Sequence, residues 1–306
     1  QAKDDTSFEM ALDGIEYFKI GKVTTEKFLS INNSQFNIDH YRDVWFKTSF
    51  LLDQKQSKNN KAQERFDNYK NQALQYTFPT HFTGESSFLR MTNMSRPKAA
   101  IIREKGSNSE REMANAMYLV GFDVKDVHMT DLISGRETLE DIQFIGAVGG
   151  FSNSDVLGSA KGWAGAFLYN EKAKTILHNF FKREDTLSVG ICNGCQLFME
   201  LELVNPEHEV HGKMHFNDSH KHESIFTSVK IQENKSVMLS TLAGSTLGVW
   251  VSHGEGKFNL PLSEKNYNIV AKYGYDSYPA NPNGSDYNTA MMCDKTGRHL
   301  ATMPHI

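Results

Sequence analysis

Leu187-Ser188-Val189-Gly190-Ile191-Cys192-Asn193-Gly194-Cys195-Gln196-Leu197 is an apolar strand running through a tight, glycine-flanked turn into a helix, with Cys192 at the apex. A thiol at such a place meets the amides of a helix N-terminus, which lower its pKa, and backbone N–H groups there can receive an oxyanion. Gly190 and Gly194 suit the unusual backbone angles and close substrate approach of a turn of this kind. The stretch therefore predicts a nucleophile at the carboxyl end of a strand.

Working outward, the chain from Pro97 alternates strands and helices. Ala99–Ile102, Phe122–Val127, Phe144–Val148 and Leu187–Ile191 read as strands, the third ending in Gly149-Gly150. Ser109, with Glu112 three residues on, has the capping-box arrangement for a helix carrying Met113, Ala116, Met117 and Val120, which Gly121 stops. Trp163–Phe181 reads as one long or two consecutive helices. This rhythm predicts an α/β fold with a doubly wound, mostly parallel sheet and flanking helices, which binds its ligands at the carboxyl ends of the strands. Farther on, 211–231, 246–260 and 267–273 look like short strands with turns, and Ala290–Cys293 is expected to pair with His299–Met303.

Residues 1–95 differ in texture, being rich in Asn, Gln, Lys and aromatics. A helix is readable from Tyr41 to Gln54, with Val44, Thr48, Leu51 and Leu52 on one face and Asp43, Lys47 and Asp53 away from it. Residues 55–75 are polar, with Phe66, Tyr69 and Leu74 as sparse apolar points, and read as a helical, partly exposed linker, most simply a solvated connector, or as the edge of something larger.

Composition narrows the function classes. A chain of 306 residues that is 39% hydrophobic can bury a substantial core. A formal net charge of −4, with no Lys/Arg cluster interleaved with aromatics, argues against nucleic acid as a partner. No apolar run approaches the roughly 20 residues that span a bilayer, and Gln1-Ala2-Lys3-Asp4-Asp5 lacks a signal-peptide pattern, so a cytoplasmic protein with no membrane partner is expected. Three cysteines, an odd number, argue for free thiols.

Cys192 and Cys195 form a C-x-x-C. A four-ligand zinc site needs a second ligand pair, which the lone Cys293 and irregularly spaced His208, His211, His215, His220 and His222 do not supply, so no metal is expected. Thioredoxin-type exchange places its motif after an early strand, whereas here it follows at least three βα units. Cys195, three residues into the helix, suits the core, while an inert core thiol at 192 would not need glycines on both sides.

Gly190-x-Cys192-x-Gly194-x-Gln196 resembles the nucleophile motif of class I glutamine amidotransferases. Arg96 to His305 is similar throughout to the C-terminal amidotransferase domain of the large, single-chain phosphoribosylformylglycinamidine synthases (formylglycinamide ribonucleotide amidotransferases). The matching segments are 103–109, 126–132, Gly149-Gly150-Phe151-Ser152 with Asp155-Val156-Leu157-Gly158, the Cys192 motif, Val251–Gly256, Tyr278–Ser285 and Met303-Pro304-His305. The resemblance implies a glutaminase domain at 96–306, preceded at 1–95 by the end of a synthetase region and a linker. It implies Cys192 as nucleophile and His305 as its base. It places the N–H groups of Asn193 and Gly150, the latter from the Gly149-Gly150 loop, at the oxyanion, and Gln196 and Asn217–Ser219 along the glutamine pocket. Glutamine would be the substrate and the synthetase domains of the same polypeptide the partner. The domain itself would need no cofactor, ATP and magnesium belonging to the synthetase part, and no P-loop appears here. In the family a glutamate two residues beyond the histidine orients it. The sequence stops at Ile306, one position short, so weak or absent activity is expected of a polypeptide truncated there. Asn153-Ser154 departs from the aromatic and glycine expected after Ser152, which could reshape that loop while leaving its amides in place.

Overall fold

The computed structural model describes residues 4–72, 75–80, 82–83 and 95–305, so Leu74 lies outside the described residues. Two compact units divide the chain at Ser49/Phe50. The first holds helix α1 (Asp5–Ala11) and an antiparallel hairpin of β1 (Phe28–Ile31) and β2 (Ser34–Asn37), turned at Asn32 with φ 52°. Helix α2 (Ile38–Gln56) begins in it.

The second unit contains α3 (Lys61–Asn68), β3 (Lys98–Arg103), β4 (Ser107–Asn108), α4 (Glu110–Leu119), β5 (Asp123–His128), α5 (Met129–Ser134), β6 (Phe144–Ala147) and β7 (Gly149–Gly150). There follow α6 (Lys161–Leu168), α7 (Glu171–Lys182), β8 (Leu187–Ile191), α8 (Asn193–Glu200), β9 (Lys213–His215), β10 (Glu223–Ile231) and β11 (Thr246–His253). β12 (Lys257–Asn259), β13 (Asn268–Tyr273), β14 (Thr289–Cys293) and β15 (His299–Thr302) complete it.

Nine strands form one sheet in the order β11-β10-β13-β14-β15-β8-β6-β3-β5. The last five are mutually parallel and the first four antiparallel. β3 explains the double winding. Ala100 and Ile102 enter the core beneath α5–α8, with Trp163, Phe167 and Phe198, while Ala99 and Ile101 pack on the opposite face with Met117 of α4. Alternate side chains of one strand thus feed two cores, and a strand buried on both faces reads as an unbroken apolar run. A third core, with Val229, Val249, Val270 and Met291, belongs to the antiparallel half.

Two helix expectations are corrected. Ser109 stands at the start of α4 with φ 72° and makes no side-chain cap. Pairing of β4 with β7 fixes residues 107 and 108, so the chain enters α4 through a left-handed residue that cannot take capping geometry. In α2 the supposed apolar face is exposed at Val44, Leu51 and Leu52, and the buried residue is Asp53.

The reason lies far away in the sequence. Asp53 pairs with Lys221 and with Arg65 Nε at 3.2 Å. Arg65 also pairs with Glu223, which is wholly buried, and meets the Tyr278 hydroxyl, which donates to Glu223 at 2.8 Å. Lys58 N donates to the Ser219 carbonyl at 2.9 Å and Asn59 Nδ2 to that of Asp218 at 2.8 Å. Asp53, Lys58, Asn59 and Arg65 are therefore fastened to residues 218–223, although the sequence from 55 onward reads most simply as a solvated linker. Arg65→Met leaves Glu223 buried without its cation and should cost about 3–5 kcal/mol of unfolding free energy. Denaturant titration giving less than about 1 kcal/mol would refute that role.

Candidate active site

β8 ends at Ile191 and the chain turns onto α8 through one residue. Cys192 has φ 53° and ψ −106°, outside the ordinary regions of an L residue. Its amide donates to the Thr302 carbonyl at 2.8 Å, clamping the apex to the end of β15. Close packing accounts for the flanking glycines: a Cβ on Gly190 would lie 2.5 Å from the Gly194 carbonyl oxygen, and one on Gly194 2.0 Å from that of Ala147.

The loop after β6 meets this elbow. Gly150 has φ +108°, and a Cβ there would sit 2.6 Å from Asn108 N and 2.7 Å from the Gly106 oxygen. Phe151 N donates to that same Gly106 oxygen at 2.8 Å and Asn153 N to the Lys105 oxygen at 2.7 Å. The 103–109 segment is thus a brace for the Gly149-Gly150 turn. Asn153, Ser154 and Asp155 have φ values of 52°, 56° and 49°, so Asn153-Ser154 keeps a left-handed turn that asparagine tolerates.

The backbone N–H groups of Asn193 and Gly150 act on the Cys192 sulfur and favour its thiolate. Burial outweighs them, and the Asp155 carboxylate adds to burial, so the thiol is pushed up to about 11. The helix amides are in place, yet at 6% exposure desolvation dominates and the expected lowering does not occur. At neutral pH the sulfur holds its proton and requires a base.

His305 stands beside it. Its backbone exchanges hydrogen bonds of 2.7 and 2.8 Å with Trp250. From the position of a Cβ on Gly149, His305 Cε1 lies 3.4 Å away and Cys192 Cβ 3.5 Å. Imidazole and thiol therefore flank one glycine, each at van der Waals distance from where its Cβ would stand. Burial lowers the His305 pKa, which keeps the ring neutral. Its buried Nε2 has no hydrogen-bond partner, and the thiol's own contact is the Ser252 carbonyl at 3.9 Å. Base and nucleophile are adjacent but not hydrogen-bonded.

A run of amides ties the parts together. Asn193 Oδ1 accepts from Ser152 N at 3.1 Å, Asn193 Nδ2 donates to Gln196 Oε1 at 3.0 Å, and Gln196 Nε2 donates to the Glu255 carbonyl at 2.8 Å. Gln196 borders the cavity, with its carboxamide engaged by protein at both ends. Asn217 Nδ2 donates to the His253 oxygen at 2.7 Å and its Oδ1 accepts from Gly256 N at 3.0 Å, so it shapes the rim. Cys195 is wholly buried in the core, and His128 caps α5 by accepting from Thr130 N at 3.2 Å. A cavity of about 250 Å³ opens beside Cys192, bordered also by Gly150, Asp155, Gln196, His222, His253 and Glu255. Sequence reading gave Asp155 and Glu255 no role. Their signal was present in two of the quoted segments, but spacing alone does not bring residues 155 and 255 together.

Burial holds His253 down at about 3, and His299, whose Nδ1 meets Ser188 Oγ at 2.9 Å, at about 4. A histidine whose folded pKa lies below its unfolded value of about 6.5 stabilises the fold above that pH and loses this as pH falls toward the folded pKa. Going from pH 7.5 to 5 should thus lower the unfolding free energy by about 2 kcal/mol per histidine. Urea unfolding at the two pH values checks this, and equal stability at both would contradict it.

Comparison with known proteins fits this geometry. The family model for the CobB/CobQ-like glutamine amidotransferase domain matches residues 96–306. The chain belongs to that family. It is 40% identical over 288 residues to a probable phosphoribosylformylglycinamidine synthase, chloroplastic/mitochondrial, of Arabidopsis thaliana, covering 86% of this chain and 20% of that protein. To the phosphoribosylformylglycinamidine synthase of Homo sapiens it is 38% identical over 295 residues, covering 88% and 22%. The chain thus spans about a fifth of the length of the curated relatives it matches. Among solved structures, that of PurLQS from Thermotoga maritima superposes with a TM-score of 0.55 at 22% identity, over 69% of this chain and 88% of that one, a likeness of fold. Among the described residues no helix is long and apolar enough to cross a membrane.

Proposed function

We propose that residues 96–306 are a glutaminase domain that hydrolyses glutamine through a Cys192 thioester and delivers the ammonia to an ATP-dependent synthetase making formylglycinamidine ribonucleotide in purine biosynthesis. What carries this reading is the pair of amides, from Gly150 and Asn193, at the Cys192 sulfur in a chain of the glutamine amidotransferase family. The names of the relatives supply the synthetase and its product. Residues 1–95 then end the synthetase region and link it to the glutaminase, and ATP and magnesium bind in the synthetase part.

His305 Nε2 takes the thiol proton as the sulfur attacks the carboxamide carbon of glutamine. The carbonyl oxygen becomes an oxyanion held by the N–H groups of Gly150 and Asn193. The C–N bond breaks, His305 returns the proton to the departing nitrogen, and ammonia leaves a γ-glutamyl thioester. Water then releases glutamate and restores the thiol. A glutamine-analogue electrophile, mapped by peptide mass, should modify Cys192 in wild type and in Cys195→Ala. Modification persisting in Cys192→Ala would sink the assignment.

A second reading has its own support. The protonated thiol and the partnerless His305 Nε2 suit a domain that is silent until the synthetase docks. On that reading, adding the synthetase part raises glutamine hydrolysis. A rate unchanged by its addition contradicts it.

A further inference from the structure

Part of the wall beside Cys192 is held from outside the residues that the family model matches. His222 and His253 both border the cavity. Glu223, the first residue of β10, follows His222 directly and stands opposite His253 in the β10–β11 ladder. It is wholly buried: one of its oxygens meets Arg65, and the other accepts from the Tyr278 hydroxyl at 2.8 Å. Among the described residues Arg65 is its one ion-pair partner. Tyr278 opens the 278–285 segment, whose Asn283 Oδ1 lies 3.0 Å from His253 Nε2. The guanidinium also meets the Tyr278 hydroxyl. Arg65 therefore reaches both supports of His253, the strand paired with it and the segment that hydrogen-bonds its ring.

Arg65 is itself fixed by its neighbours. It sits on α3, where Phe66 stacks on Phe50 of α2 with ring centroids 4.5 Å apart. Its Nε lies 3.2 Å from Asp53 Oδ2, and Asp53 is held in turn by Lys221 and by Ser57 Oγ at 2.5 Å. Asn68 Nδ2, one turn farther along α3, donates to the Tyr278 carbonyl at 2.8 Å. With the bonds from Lys58 and Asn59 to the carbonyls of Ser219 and Asp218, the end of α2 and the whole of α3 grip the stretch that leads into β10 at both its ends. A buried ion pair is a poor source of stability, since apolar side chains of the same volume serve as well or better. What a planar, multiply bonded guanidinium adds is a single geometry.

We propose that Arg65 is a positioning residue of the Cys192 site: by fixing Glu223 against Tyr278 it sets the place of His222 and His253 on the cavity wall. The site is then complete only with residues 50–68, which lie N-terminal to the matched 96–306. The inference rests on the reading of Cys192 as a glutaminase nucleophile. Arg65 is not on the cavity border, so it acts through the wall and not on the reacting atoms. Its loss should loosen the fit of the substrate while leaving the thiol and His305 in place.

The test is the rate of Cys192 modification in the full chain by the diazoketone analogue of L-glutamine, followed against probe concentration, with iodoacetamide as a small probe of the thiol alone. Arg65→Lys keeps a cation beside Glu223, so the fold is retained, but one ammonium cannot meet Asp53, Glu223 and the Tyr278 hydroxyl together as the fork does. It should raise the half-saturating diazoketone concentration about tenfold, with the limiting rate and the iodoacetamide rate within about twofold of wild type. Glu223→Gln, which keeps the side-chain shape, should shift half-saturation in the same direction and serves if Arg65→Lys folds poorly. Because both act along one path, the double variant should show little more than the larger single effect. Half-saturation within about twofold of wild type in both single variants, whatever their stability, overturns the positioning role alone, as does a fall confined to the limiting rate. Failure of the diazoketone to label Cys192 in wild type, while iodoacetamide does so, overturns both this role and the glutaminase reading.

Discussion

Cys192→Ala should lower glutamine-dependent ammonia release by about 10⁴-fold or more, to background, because among the described residues no other group on the cavity border can form the thioester. Cys195→Ala should stay within about threefold of wild type. The two thiols are three residues apart but differ in surroundings. The Cys192 sulfur is met by two backbone N–H groups and borders the cavity, whereas Cys195 is sealed in the core beneath β8, where burial pushes its thiol up with no amide to offset it. Joined to a synthetase, Cys192→Ala should retain synthesis from supplied ammonia and lose synthesis from glutamine. Loss of both, or retention of both, contradicts the division of labour.

Gly194→Ala should be the most damaging substitution of a single methyl group. Its Cβ would lie 2.0 Å from the Ala147 oxygen and 2.6 Å from the Ala147 carbonyl carbon, so α8 must retreat from β6. Backbone cannot swing aside as a side chain can, and the expected cost is about 3 kcal/mol or more. The movement would also draw the Asn193 N–H away from the sulfur, so reactivity of Cys192 should fall with stability. Gly165→Ala is the control: in α6 the nearest atom to the new Cβ is Tyr169 Cδ2 at 3.7 Å. There the helix gains up to about 1 kcal/mol from the better helix former. Denaturant titration of the two variants separates these outcomes, and similar stabilities would contradict the packing account.

The strand-turn-helix at Leu187–Leu197 was legible because its determinants are local: an apolar run, glycines at two fixed offsets and a cysteine between them. β8 spans the same residues as read from sequence, Leu187–Ile191. The pairing of Ala290–Cys293 with His299–Met303 was legible for the same reason, through a turn at Asp294–Gly297. Long-range contacts were not legible. Asp53 sits where helical periodicity reads it as solvent-facing, and only Arg65, Lys221 and Glu223 explain its burial. Ser109 carries the composition of a cap, but the β4–β7 ladder imposes a backbone that forbids one. The thiol illustrates both cases. Its place at a helix start is a local fact, whereas the direction of its pKa depends on burial by the Gly149-Gly150 and 252–256 segments, which sequence does not weigh.

The most direct test of the central claim is to mix the chain with isotopically labelled glutamine, quench in acid within the first turnover, and weigh the peptides. The account predicts one γ-glutamyl group on the peptide carrying Cys192, cleaved by hydroxylamine and missing in Cys192→Ala. Ammonia release with no acyl group at Cys192, or an acyl group found on Cys195 or Cys293, would contradict it.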